Sequence, residues 1–294
     1  MASDARLKCR GANSGGSNIL CQMFDSHVHV GTVFGAPGSR RRRFHVAQVA
    51  RWLTDLGLAG YAVSSTTTSL DPASSVDEMR LIVDLLQDRV IPLLWLTPAM
   101  LSSRRLGSYL SALNWRGIKI HPLADQWDLR APATMRLFGL AAETDLPILM
   151  HTGWTTESNA GLARAACLQF PAVRLVLGHG RPIEETLSML GEFGNVRVDT
   201  AYMSMEDIRK IVVAGMTDRI LYGSDFPLDA CYYPRMSIKS KYKHRVADFV
   251  RSFGADNVLA WSTSNFRAVF PSCCTARVRP EGESNQLLNT SGEG

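Results

Sequence analysis

His27 and His29 lie two residues apart in the apolar stretch Met23–Val30, MFDSHVHV. A β-strand points alternate side chains to opposite faces, so both imidazoles are predicted to leave the strand on one face. The same alternation puts Asp25 on that face, one step deeper. Two imidazoles side by side at a strand end can share a metal ion, at about 2.0–2.1 Å per nitrogen if the ion is zinc. Two packed or surface histidines satisfy the same spacing, so the reading depends on partners elsewhere in the chain. Candidates follow in order: His121 in GIKIHP, His151 in PILMHTG, His179 in LVLGHG and Asp225 in YGSDFP. Each has a plainer alternative. His151 and His179 fit hydrogen-bonded core histidines, His121 fits a residue turning the chain into Pro122, and Asp225 fits a loop cap.

What must position these residues is legible in the hydropathy pattern. Eight short apolar runs are predicted as strands, over 23–30, 60–66, 90–98, 117–122, 147–153, 174–180, 195–201 and 219–227. Several are apolar on both faces, as strands buried in a parallel sheet are. Between them lie stripes of helical period: Val49, Trp52, Leu53 and Leu56; Val76, Met79, Val83 and Leu86; Ile183, Leu187 and Leu190; Val246, Phe249, Val250 and Phe253. Helix stops are expected at Gly57, Gly60 and Asp145–Pro147. Eight strand–helix units in this length predict an α/β fold, a (β/α)8 TIM barrel, in one domain. A doubly wound open sheet would carry a Gly-rich phosphate-binding first turn, and HVHVGTVFGAPG lacks that spacing.

Five of the seven histidines then fall at strand ends, and in this barrel the C-terminal strand ends form the active-site rim. Only His45 and His244 fall elsewhere. The barrel is expected over 21–270, after a flexible leader at 1–20 and before a disordered tail at 271–294. Within 257–270 a short strand-like piece and a closing helix capped near Ser264 are expected.

Composition narrows the function classes. Hydrophobic residues make up 46% and charged residues 20% of 294, ordinary for a globular chain with a sizeable core. No apolar run reaches the ~18 residues of a membrane span, and no secretory signal pattern opens the chain, so a cytoplasmic protein without a membrane partner is expected. The six cysteines show no C-x-x-C spacing, which favours reduced thiols over a disulfide framework or a thiolate metal site. The net charge of +5 owes four charges to Arg40–Arg43. Without interleaved aromatics or a wider basic face, this run does not make a nucleic-acid surface.

Taken together, DSHVH, GIKIHP, LPILMHTG, LVLGHG and ILYGSDFP resemble, in order and spacing, the amidohydrolase-related metal-dependent hydrolases of the amidohydrolase superfamily. That group includes aminocarboxymuconate semialdehyde decarboxylase and pyrone-dicarboxylate lactonase. The closing SNFRAVF is similar to the family's terminal helix, and the resemblance spans about 23–270. It implies that His27, His29, His151 and Asp225 bind one divalent metal, zinc most often and manganese in some members. It implies further that His179 stands beside the reacting water and that Asp225 accepts that water's proton. Beside a divalent cation Asp225 is expected to stay ionised. Some members carry a carboxylated lysine on the fourth strand that bridges two metals. Lys119 is expected to lie too deep for that, near an acid such as Asp199, leaving one metal.

The implied activity is hydrolysis, with a metal-activated water attacking a lactone, amide or ester of a small carboxylated substrate. The alternatives are non-oxidative decarboxylation of a small unsaturated or aromatic acid, and an inactive barrel used for binding. A nuclease of similar fold would need a strand-4 carboxylate that GIKIHP does not supply. For substrate contacts the expected residues are His121, Trp154 after the His151-Thr-Gly turn, and Arg40 and Arg41, which would gather an anionic substrate at the rim. The resemblance also implies a homodimer.

Overall fold

The apolar runs do pair side by side. In the structure, a computed structural model describing residues 17–33, 42–153, 155–228 and 237–271, the strands are β1 (Phe24–Val33), β2 (Arg42–Phe44), β3 (Gly60–Ser65), β4 (Val90–Trp95), β5 (Gly117–Ile120), β6 (Ile148–His151), β7 (Leu175–Gly178), β8 (Val196–Asp199) and β9 (Ile220–Leu221). They form one sheet in the order β2-β1-β3-β4-β5-β6-β7-β8-β9. Every pairing from β1 and β3 through β9 is parallel. The sheet then curls onto itself. The Ser26 amide donates to the Tyr222 carbonyl at 2.9 Å, the His29 amide donates to the Phe226 carbonyl at 2.7 Å, and Val28 bridges Phe226 in parallel. This is the α/β barrel that the run spacing predicts.

The predicted helices stand where their stripes lie, over Val46–Leu56, Pro72–Leu86, Ile183–Glu192 and Ile238–Phe253. The first ends at Gly57 in the left-handed region and Pro132–Thr144 ends at Asp145 in the same conformation, so those two predicted stops hold, while Gly60 is no helix stop but the first residue of β3. Apolar layers fill the barrel below the rim. Leu93, Leu149, Val176 and Leu221 cluster with Phe24, Phe266 and Phe270, and the Phe24 and Phe266 rings stack at 4.9 Å. Fully burying such a side chain stabilises by roughly 1.5–3 kcal/mol. A plug of this size can carry a rim crowded with polar groups. Two residues beyond these interior positions the strands deliver Trp95 after Leu93 and His151 after Leu149, by the same alternation.

Four expectations need correction. β1 runs on to Val33 and turns back into the antiparallel β2, pairing Thr32 with Arg43. The basic run is therefore partly strand: Arg43 bonds the buried Glu78 at 3.3 Å, while Arg40 and Arg41 lie outside the described residues. Glu78 also takes the Ser65 hydroxyl at 2.6 Å and presses on Gly31, where φ is +97° and a Cβ would stand 2.7 Å from its Oε2. No strand-like piece exists in 257–270, where helices Ala255–Ser262 and Ser264–Val269 follow one another. Ser264 does not cap the second of these; its hydroxyl donates back to Ala260 O. Finally, the leader is packed at its end, for Ser17–Leu20 is a helical turn with Ile19 and Leu20 buried. Of the tail expected over 271–294 all but Pro271 lies outside the described residues, as does Trp154. Among the described residues, no helix is long and apolar enough to cross a membrane.

Candidate metal centre

His27 and His29 both face the barrel mouth, but Asp25 does not share their face. The register of β1 against β3 shifts between Asp25 and Val28, which breaks the two-residue alternation there. Asp25 turns into the seam beside β9, where it accepts from the Ser224 amide and the Tyr242 hydroxyl.

The ring contacts assign the imidazole proton of His27, His179 and His151. His27 Nδ1 lies 2.7 Å from Asp199 Oδ2, with both groups buried, so Nδ1 donates and Nε2 presents a lone pair to the mouth. Burial, reinforced by the nearby Lys119 ammonium, holds the His27 pKa well below its ordinary value and keeps the ring neutral. Its Nε2 stands 3.4 Å from Asp225 Oδ1, and His29 Nε2 stands 3.0 Å from the same oxygen. On its other side, His29 Nδ1 meets the Ser64 hydroxyl at 3.0 Å, a group able to donate or accept as the ring requires. Room for the His27–Asp199 pair depends on Gly178, where a Cβ would stand 3.2 Å from His27 Cε1 and 3.1 Å from Met150 O.

Donor atoms arranged tetrahedrally about an ion at about 2.1 Å stand roughly 3.4 Å apart. The two separations from Asp225 Oδ1, 3.0 and 3.4 Å, are close to that spacing. Among the described residues, the donor atoms of His27, His29 and Asp225 all lie within 4.8 Å of one another, and all three residues are buried. Two imidazoles and a carboxylate form a donor set suited to zinc or a similar divalent ion. A second such group, His27, His179 and Asp199, is held together by hydrogen bonds already made.

Asp225 is the charge of the centre. Burial pushes its carboxyl up, but the facing His27, His29 and His179 outweigh this and hold it below the ordinary carboxylate range. Its backbone sits at φ +59°, in a region that only Gly enters freely.

His151 falls on the rim but outside this three-residue group. Its Nδ1 lies 3.0 Å from His179 Nε2, and its ring stacks on His121 at 3.8 Å and 14°. His179 Nδ1 donates to the Ala201 carbonyl at 3.0 Å, so its Nε2 is the acceptor and His151 Nδ1 carries the proton between them. That leaves His151 Nε2 buried with no hydrogen-bond partner. A buried lone pair of this kind is costly unless something binds it. His121 Nδ1 accepts from the Ala124 amide at 3.1 Å, capping a short turn, and its ring stacks between those of Trp95 and His151.

Lys119 reaches farther than expected. Its Nζ stands 3.0 Å from His27 Nε2, with its strongest carboxylate attractions toward Asp225 and then Asp199. A lysine stem spans the distance from two residues below the strand end. Burial lowers its pKa to about 8, partly offset by those carboxylates.

Trp95 and Asp199 emerge as members of the site. Trp95 stacks on His121 at 5.7 Å and 18°, faces His29 at 5.7 Å and is fixed by Asp125, which accepts its indole N–H at 2.7 Å. Both end strands on the rim, which was the available signal, though neither residue type stands out in a motif. Asp199 orients His27, and outer carboxylates of this kind commonly carry 10- to 100-fold of metal affinity. Asp199→Asn is therefore expected to weaken zinc binding by about that factor in a chelator competition. Unchanged affinity would show that the His27 ring is held by packing alone.

Comparison with known proteins agrees with this architecture. Among solved structures, a probable 2-pyrone-4,6-dicarboxylic acid hydrolase from Acinetobacter baumannii superposes with a TM-score of 0.65 at 10% identity, covering 85% of this chain and 99% of that one. A 5-carboxyvanillate decarboxylase from Sphingomonas paucimobilis gives 0.59 at 13% identity, with coverage of 85% and 99%. An amidohydrolase from Burkholderia multivorans with bound zinc gives 0.60 at 16%, again covering 85% and 99%. At these identities the likeness is one of fold. No curated protein matches the chain. The amidohydrolase family model matches residues 75–231, more than half of the sequence and the stretch that holds His121, His151, His179 and Asp225. This chain belongs to the amidohydrolase family.

Proposed function

We propose that the protein is a metal-dependent hydrolase acting on a lactone, amide or ester of a small anionic substrate. The convergence of His27, His29 and Asp225 at the barrel mouth, at spacings that suit one divalent ion, carries the reading. His151, through its buried Nε2, is the fourth ligand on this reading. Zinc is the first choice of ion and manganese the second. Such an ion polarises a carbonyl and makes water acidic enough to react near neutral pH.

The chain's own groups supply the proton handling. Asp225, held ionised, accepts the proton of the attacking water. His179 is the second proton-handling group on this reading: its Nδ1 proton is committed to the Ala201 carbonyl, so it gains a proton only at Nε2, by giving up the hydrogen bond from His151 Nδ1. Trp95 and His121 stack beside the centre. Trp154, Arg40 and Arg41 remain proposed substrate contacts.

His179→Asn is expected to lower kcat by about 10²-fold while the ion content stays near wild type. Loss of the ion in that variant would make His179 a ligand instead.

A second reading, non-oxidative decarboxylation of a small unsaturated or aromatic acid, is favoured by the stacked rings of Trp95, His121 and His151, which offer a flat wall to a planar acid. Incubating the zinc- or manganese-loaded protein with a panel of lactones, amides and aromatic acids, 2-pyrone-4,6-dicarboxylate and 5-carboxyvanillate among them, separates the two. Product mass gains one water in hydrolysis and loses one carbon dioxide in decarboxylation. No turnover of any member by the loaded protein would favour a binding barrel.

A further inference from the structure

Asp25 is buried completely, and its carboxylate bonds neither Asp225 nor the histidine rings. Its carboxylate collects four donors. Oδ1 accepts the His27 amide at 3.1 Å and the Ser224 amide at 3.0 Å, while Oδ2 accepts the Ser224 hydroxyl at 2.5 Å and the Tyr242 hydroxyl at 2.9 Å. Ser224 Oγ in turn accepts the Phe226 amide at 3.1 Å. One side chain thus ties the backbone of His27 to the backbone on both sides of Asp225, across the seam where the barrel closes.

That seam needs a tie. β9 is only two residues long, and beyond it Asp225 occupies a left-handed conformation that a non-glycine residue enters at a cost. The donor that comes from outside the sheet is Tyr242, on the helix Ile238–Phe253. It is buried against Tyr222 and Phe226 at ring separations of 5.8 and 6.2 Å.

We propose that Tyr242 is a positioning residue for Asp225: by fixing the Asp25 carboxylate it sets the Ser224–Phe226 backbone and so the separation between Asp225 and the two histidines. The inference rests on the metal-centre reading for its consequence, though not for its geometry. Removing one hydroxyl leaves the ring packing in place and frees one carboxylate lone pair. The backbone hydrogen bonds to Oδ1 then loosen, and the three donor atoms lose their fixed spacing.

The test compares Tyr242→Phe with Tyr61→Phe. Tyr61 is also buried and pairs with Asp25 on the neighbouring strand, but its hydroxyl bonds the Leu53 carbonyl and the Leu58 amide instead of the carboxylate. Both variants lose one buried hydroxyl and both should lower the melting temperature. Only Tyr242→Phe is expected to speed amide hydrogen exchange at His27 and Ser224 in the ion-free protein. It alone should also weaken zinc affinity by about tenfold in a chelator competition and alter the visible spectrum of the cobalt-loaded protein. Equal exchange at His27 and Ser224 in the two variants would overturn the proposal, as would wild-type zinc affinity and cobalt spectrum in Tyr242→Phe. If the wild type binds neither zinc nor cobalt, the metal-centre reading fails, while the exchange comparison still decides whether Tyr242 holds the seam.

Discussion

The double substitution of His27→Ala with His29→Ala is expected to yield protein without a bound ion, where the wild type holds about one zinc- or manganese-like ion per chain. Two donors of the three that converge are removed, and Asp225 with His151 is too small a donor set to hold the ion. Elemental analysis after dialysis reads the result. The variant will also be less stable, because removing the His27 ring leaves Asp199 Oδ2 without its 2.7 Å partner in a fully buried site. Leaving such an acceptor unpaired costs about 1–3 kcal/mol, so the melting temperature should fall while the protein stays folded. Full ion retention in a folded double variant would remove the centre assigned here.

Asp225→Asn separates holding the ion from moving the proton. The amide keeps the size and one oxygen ligand but cannot accept a proton. Ion content should stay near wild type while turnover falls by about 10²–10⁴-fold. The pH dependence follows from the direction of the shift. The folded carboxyl lies below its unfolded value of about 3.9, so the stability it contributes is complete above that pH. That contribution is lost only as the pH falls through the lower folded value. Asp225 is therefore charged throughout the neutral range, and any acidic limb of the rate profile near neutrality belongs to another group. Asp225→Asn should lower the plateau and leave that limb where it was. A folded, ion-bound and fully active Asn variant would rule out the proton-accepting role.

The strand-end histidines and Asp225 were legible because apolar runs of fixed spacing dictate a parallel barrel, and a barrel dictates one rim. Gly57 and Asp145 announced helix ends for a local reason, the left-handed conformation that closes each helix. Asp25 was misplaced because alternation assumes an unbroken register, and the shift between Asp25 and Val28 depends on pairing with β3. His151 and Lys119 sit on the predicted strands, but their side-chain reach is set by neighbours on other strands, His179 and His27. No local pattern encodes those contacts. β2 escaped because three residues rich in arginine carry no strand signature, and only pairing with an overlong β1 makes them one. Asp199 and Tyr242 bond residues 172 and 217 positions away, separations at which only the folded chain shows a partner.

A single ion held among His27, His29 and Asp225 is what the donor geometry calls for. Anomalous diffraction at the zinc edge, from crystals of protein equilibrated with zinc and washed, locates it directly. One strong peak is expected about 2.0–2.2 Å from His27 Nε2, His29 Nε2 and an Asp225 oxygen. A strong peak elsewhere, or none at the barrel mouth in zinc-saturated crystals, would contradict this assignment.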